Sequence, residues 1–179
     1  PVPLILNLHG YTSNAGQQMI YSNFYPIADV EGFILVHPQG TYNNLGYAYW
    51  NSGELTDIDD IGFLSTLIDS ISSNYNINPD RVYSMGMSNG GFMSYTLACE
   101  LSDKIAAIAS VTGSMSDLQM LTCNPTHSIP VMQIHGTADP TVPYEGDDGF
   151  ISSIDDVISY WVNFNQCNTN AIINNIPNI

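Results

Sequence analysis

Apolar residues along this chain come as short continuous runs, separated by longer stretches in which they recur every three or four positions. Leu4-Ile5-Leu6-Asn7-Leu8 and Phe33-Ile34-Leu35-Val36 read as buried strands, and so do residues 81–85, 105–111 and 130–134. Residues 16–30 read as a helical stretch broken near Pro26. Further helices are predicted over 57–74, 89–101 and 152–164. In the first of these, Ile61, Leu64, Leu67, Ile68 and Ile71 fall on one face, and acidic residues crowd the first turn, where the helix dipole favours them. Residues 41–53 form a loop rich in Tyr, Trp, Asn and Gly. Strands alternating with helices predict an α/β class, with a mostly parallel sheet and helices on both faces. There is no repeat or linker, so residues 1–179 are expected to form one domain.

Composition narrows the function. Seventeen acidic residues face two basic ones, Arg81 and Lys104, for a formal net charge of −15. Such a surface repels nucleic acid and anionic membranes, so nucleic-acid binding is not expected. No run approaches the length of a membrane span. Cys99, Cys123 and Cys167 are too widely spaced for a zinc site. Few lysines and many Asn, Ser and Tyr fit a secreted protein, in which two of the three cysteines could pair.

Gly86-Met87-Ser88-Asn89-Gly90 matches G-x-S-x-G, a pattern with little specificity alone. Here it follows a strand and opens a helix, the setting in which two glycines let the chain turn sharply with serine at its tip. Ser88 is therefore the candidate nucleophile. The backbone N–H of Asn89 is one candidate oxyanion donor, and that of Tyr11, after the strand end Leu8-His9-Gly10, is the other. Asp139, just past the strand over 130–134, suits the acid that orients a base. In this arrangement a histidine follows the acid, yet His9, His37, His127 and His135 all precede Asp139.

The order and spacing of several motifs sharpen this. Leu6-Asn7-Leu8-His9-Gly10-Tyr11, Val36-His37-Pro38-Gln39-Gly40, Asp59-Asp60-Ile61-Gly62, Gly86-Met87-Ser88-Asn89-Gly90-Gly91, Leu97-Ala98-Cys99-Glu100-Leu101 and His135-Gly136-Thr137-Ala138-Asp139-Pro140 resemble the polyhydroxybutyrate-depolymerase-like esterases. These are secreted α/β hydrolases related to feruloyl and acetylxylan esterases. The resemblance implies an α/β-hydrolase domain truncated before the last strand and the catalytic-histidine loop, with the histidine expected beyond Ile179. It implies carboxylic-ester hydrolysis through an acyl-enzyme on Ser88, with no metal or organic cofactor. The substrate would be a polyester oligomer or a plant cell-wall ester. Tyr49 and Trp50 of the aromatic loop, at the carboxyl edge of the sheet, either face it or pack locally within the loop. A Cys99–Cys123 disulfide, and a partner for Cys167 downstream of Ile179, follow from the same comparison. Two alternatives stay open: a non-catalytic binding homologue of this fold, and a serine peptidase on it.

Overall fold

The computed structural model describes residues 1–53, 56–147 and 149–174. Five strands form a parallel sheet: β1 (Val2–Leu8), β2 (Ile34–Val36), β5 (Ile77–Met87), β6 (Ala107–Val111) and β7 (Val131–Ile134), in the order β2-β1-β5-β6-β7. Because every pair is parallel, all carboxyl ends lie along one edge, and the loops leaving them converge there. The expected α/β-hydrolase architecture is the one found.

Alternation along the strands separates two faces. Leu4, Leu6, Leu8, Val82 and Ile108 point to the face covered by α4 (Asn89–Glu100). Leu64 and Ile68 of α3 (Asp60–Asn74) and Val157 and Trp161 of α6 (Ile154–Phe164) complete that core. Each fully buried leucine contributes about 1.5–3 kcal/mol of transfer free energy. α1 (Ala15–Ser22) packs on the opposite face, where Asn7 Nδ2 donates to Ser22 Oγ and Gln18 Nε2 donates to Asn7 Oδ1.

Several boundaries differ from expectation for identifiable reasons. The first helical stretch does not break at Pro26. It breaks at Asn23, a left-handed cap (φ 46°) that ends α1. Pro26 sits in the first turn of α2 (Tyr25–Glu31), where its missing N–H costs nothing. α3 begins at Asp60, not at 57, because Asp59 Oδ1 accepts from Gly62 N–H and caps it. β5 starts early and carries an exposed bulge at 79–81, where Val2 pairs Ile77 but Leu4 pairs Val82.

The aromatic loop contains a small hairpin, β3 (Thr41–Tyr42) with β4 (Ala48–Tyr49), whose turn is closed by Asn43 Oδ1 accepting from Leu45 and Tyr47 N–H. α5 (Asp117–Thr122) was not expected, although Ser116-x-x-Gln119 is a capping-box pattern and Ser116 Oγ accepts from Gln119 N–H. Cys99, near the end of α4, is disulfide-bonded to Cys123 at the end of α5, as the family resemblance implied; Cys167 is an exposed free thiol.

Candidate active site

The turn between β5 and α4 places Ser88 at the carboxyl edge of the sheet. Its backbone lies at φ 52°, ψ −120°, a conformation that non-glycine residues rarely adopt. Surrounding contacts hold it there. Ser88 N–H donates to Val111 O at 2.8 Å, and Ser88 O accepts from Gly91 and Phe92 N–H at 2.7 and 3.0 Å.

Both flanking glycines are required by space. A Cβ on Gly86 would overlap the Gly90 backbone, and one on Gly90 would overlap the Leu8 carbonyl. Gly90→Ala should therefore destabilise by about 3 kcal/mol, because overlap with backbone outweighs the gain of about 1 kcal/mol in helix propensity. Urea unfolding checks this, with Gly136→Ala as the control, since an added Cβ there meets nothing within 4 Å. An unchanged midpoint for Gly90→Ala would contradict the tight packing.

The Gly10-Tyr11 turn abuts the elbow. A Cβ on Gly10 would lie 3.4 Å from Met87 O and 3.6 Å from Ser88 Cβ. Thr12, at φ 68°, turns the chain away, and its N–H donates to Ala48 O. Among the described residues, the N–H groups of Tyr11 and Asn89 donate to no protein acceptor. Two free N–H groups beside a strained serine are what an oxyanion hole needs.

Beside them lies a largely apolar cleft of about 290 Å³, lined among others by Tyr11, Tyr49, Trp50, Ser88, Phe92 and Phe150. Tyr49 is half-buried there and its hydroxyl donates to Thr56 Oγ1. Trp50 borders the cleft but is only 1% exposed, and Nε1–H donates to His9 O at 3.0 Å, so of the two readings of this loop local packing is the one that describes its indole. Phe92 and Phe150 were missed. Phe92 follows Ser88 by one helical turn and was legible in principle. Phe150 reaches the cleft from a distant loop, which no local pattern signals.

Asp139 follows β7 and so lies at the same edge as Ser88, but it is not part of the cleft lining. Its Oδ1 accepts from Thr141 and Val142 N–H at 2.8 and 3.0 Å, which lowers the carboxyl pKa below its ordinary value. Oδ2 lies 3.8 Å from His135 Nε2, too far for a hydrogen bond, and remains available to another partner.

None of the four histidines bonds to Ser88. His9 is buried; its Nε2 accepts from Gly40 N–H at 3.0 Å, which assigns the proton to Nδ1, bonded to Gly10 O at 2.9 Å. His37 Nε2 accepts from Asn7 Nδ2. His127 lies in an exposed loop with Nδ1 against Ser128 O. His135 has 1% side-chain exposure, with Nε2 donating to Val142 O and Nδ1 accepting from Gln133 Nε2. Among the described residues, no group of His, Cys, Asp and Glu is arranged to hold a metal ion, and no helix is long and apolar enough to cross a membrane.

Burial lowers the pKa of His9 and His37 below the ordinary 6.5. As pH falls below that value the unfolded chain binds protons that the native rings refuse, so stability is complete above about 6.5 and declines through the lowered native pKa. Burial raises the pKa of Asp60, which acts in the opposite sense. Urea midpoints should thus fall from pH 7.5 to 5.5 less in His9→Asn than in wild type. Equal pH slopes would contradict the assignment of His9.

Comparison with known proteins agrees with the fold. A family model described as phospholipase/carboxylesterase matches residues 2–156. The bifunctional acetylxylan esterase/xylanase XynS20E of Neocallimastix patriciarum is 31% identical over 154 residues, covering 86% of this chain and 22% of that protein. Feruloyl esterase B of Piromyces equi is 33% identical over 147 residues, covering 80% of this chain and 27% of its own length. The chain therefore spans less than half the length of these curated relatives. The crystal structure of esterase PE8 superposes with a TM-score of 0.69 at 19% identity, covering 90% of this chain and 77% of that one. With its parallel sheet, its strand–serine–helix elbow and a family match over most of its length, the chain belongs to the phospholipase/carboxylesterase family of α/β hydrolases.

Proposed function

We propose that the chain is most of the catalytic domain of a serine carboxylic-ester hydrolase. The observation that carries this is the pairing of a strained Ser88 with the two free N–H groups of Tyr11 and Asn89. Ser88 Oγ attacks the ester carbonyl carbon while a histidine takes its proton. The carbonyl oxygen becomes an oxyanion held by the two N–H donors. The bond to the alcohol oxygen then breaks, the histidine returns the proton to it, and an acyl-Ser88 remains. Water, deprotonated by the same histidine, releases the acid.

The base is a histidine outside these 179 residues, since His9, His37, His127 and His135 are all bonded elsewhere. Asp139 Oδ2 orients it. The apolar cleft receives the acyl group, with Tyr49 in its wall. The names of the relatives favour a plant cell-wall ester, feruloyl or acetyl, with a polyester oligomer as the other ester of this class. The disulfide supports a secreted protein.

Ester hydrolysis that disappears in Ser88→Ala tests the reading. The lack of a base beside Ser88 favours a second one, a non-catalytic homologue; Ser88-dependent turnover by the full-length protein would exclude it.

A further inference from the structure

The two candidate oxyanion donors come from chain segments far apart in sequence, and one buried side chain links them. The Asn89 carboxamide grips the Trp50 peptide group by group: Oδ1 accepts from Trp50 N–H at 2.7 Å, and Nδ2 donates to Trp50 O at 2.9 Å. The same Nδ2 donates to Ser52 Oγ at 3.3 Å. On the far side, the Trp50 indole N–H donates to His9 O at 3.0 Å, and its ring stands 5.0 Å from the His9 imidazole. His9 is itself pinned by Gly40 N–H and bonded to Gly10 O. One chain of bonds therefore runs from the Asn89 backbone, through its side chain, Trp50 and His9, to Gly10 and Tyr11.

Oxyanion donors act only at about 2.7–3.1 Å from the charge, and an error near 1 Å can cost about 100-fold in rate. Direct packing of Gly90 on the Leu8 carbonyl fixes how closely α4 approaches β1. Pairing of β1 with β5 ends at Leu8 and Gly86, so the Tyr11 and Asn89 donors both lie beyond the last paired residues. The Asn89–Trp50–His9 bonds add a directional link between them there.

We propose that the Asn89 carboxamide and the Trp50 indole form a brace that holds the Tyr11 and Asn89 N–H donors at the spacing an oxyanion requires. Both are positioning residues: their side chains act through backbone donors and need not touch substrate. The proposal rests on the serine-hydrolase reading above. It also explains why a tryptophan at the active-site edge is only 1% exposed.

The test uses the full-length protein and an aryl ester. Trp50→Phe keeps an aromatic ring and removes the indole N–H; Asn89→Ala removes the clamp and keeps the backbone donor. Each should lower kcat by about 10- to 100-fold with KM within about twofold. Affinity for an aryl boronic acid, which mimics the tetrahedral oxyanion, should fall in step with kcat. Affinity for the unreactive amide analogue of the ester should hold. Because both substitutions cut the same chain, the double variant should lie within about threefold of the worse single one. If Asn89→Ala fails to fold, Trp50→Phe carries the test.

The brace is overturned if either folded variant keeps kcat within about twofold of wild type. Multiplying effects in the double variant, or an equal loss of affinity for the amide analogue, overturn it too. A parent protein without Ser88-dependent turnover would refute the hydrolase reading, and the brace with it. Ser88-dependent turnover that Trp50→Phe leaves unchanged refutes the brace alone.

Discussion

Ser88→Ala in the full-length protein should lower kcat for an aryl ester by at least about 10⁴-fold. The hydroxyl is the only group at the elbow proposed to bond covalently with the substrate, and its loss leaves only binding and oxyanion stabilisation. The fold should survive. Ser88 is held by backbone bonds to Val111, Gly91 and Phe92, and none of them uses its side chain. Alanine keeps the strained φ of 52°, so the variant should unfold within about 1 kcal/mol of wild type. Steady-state hydrolysis and urea unfolding measured on one preparation separate the two effects. A loss of activity accompanied by a lost fold would not support the mechanism, and retained activity would sink it.

The second large effect concerns the base. The 179-residue chain should hydrolyse the same ester at least about 10³-fold more slowly than the full-length protein, even when circular dichroism shows it folded. This expectation comes from the bonding of the histidines. His9 uses both ring nitrogens to hold the Gly10 turn and Gly40, and His135 uses both between Gln133 and Val142. Recruiting either as base would break a buried hydrogen bond and leave its partner unsatisfied. Comparable rates for the two proteins would mean that one of the four histidines moves to Ser88 during turnover. Substituting each in turn would then identify it.

Much of this site was legible in the sequence, and the limits have physical reasons. The strands of the sheet are short apolar runs, as parallel strands generally are, so their existence could be read directly; that one face stays partly open, with Met132 and Ile134 of β7 59% and 53% exposed, could not. The elbow was legible because its glycines are dictated by backbone contact, Gly86 against Gly90 and Gly90 against Leu8. Helix ends were harder. Asn23 ends α1 through a left-handed conformation that composition only hints at, while Pro26 looked like a breaker and is an N-terminal residue.

Trp50 shows what a local pattern leaves open. An aromatic loop at the ligand edge of a sheet reads as a binding surface, but burial is a tertiary property. Its partners, Asn89 and His9, are 39 and 41 positions away in sequence. Phe150 is the converse case: it stands in the cleft, 46% exposed, and nothing near it in the sequence marks it.

Ser88 is proposed as an activated nucleophile facing an oxyanion hole. A fluorophosphonate that labels serine hydrolases tests it most directly, applied to the full-length protein with the adduct mapped by peptide mass spectrometry. One phosphonyl adduct is expected, on the peptide containing Ser88, absent from Ser88→Ala. An ester-hydrolysing protein that carries no adduct on Ser88, or carries it on another residue, would contradict it.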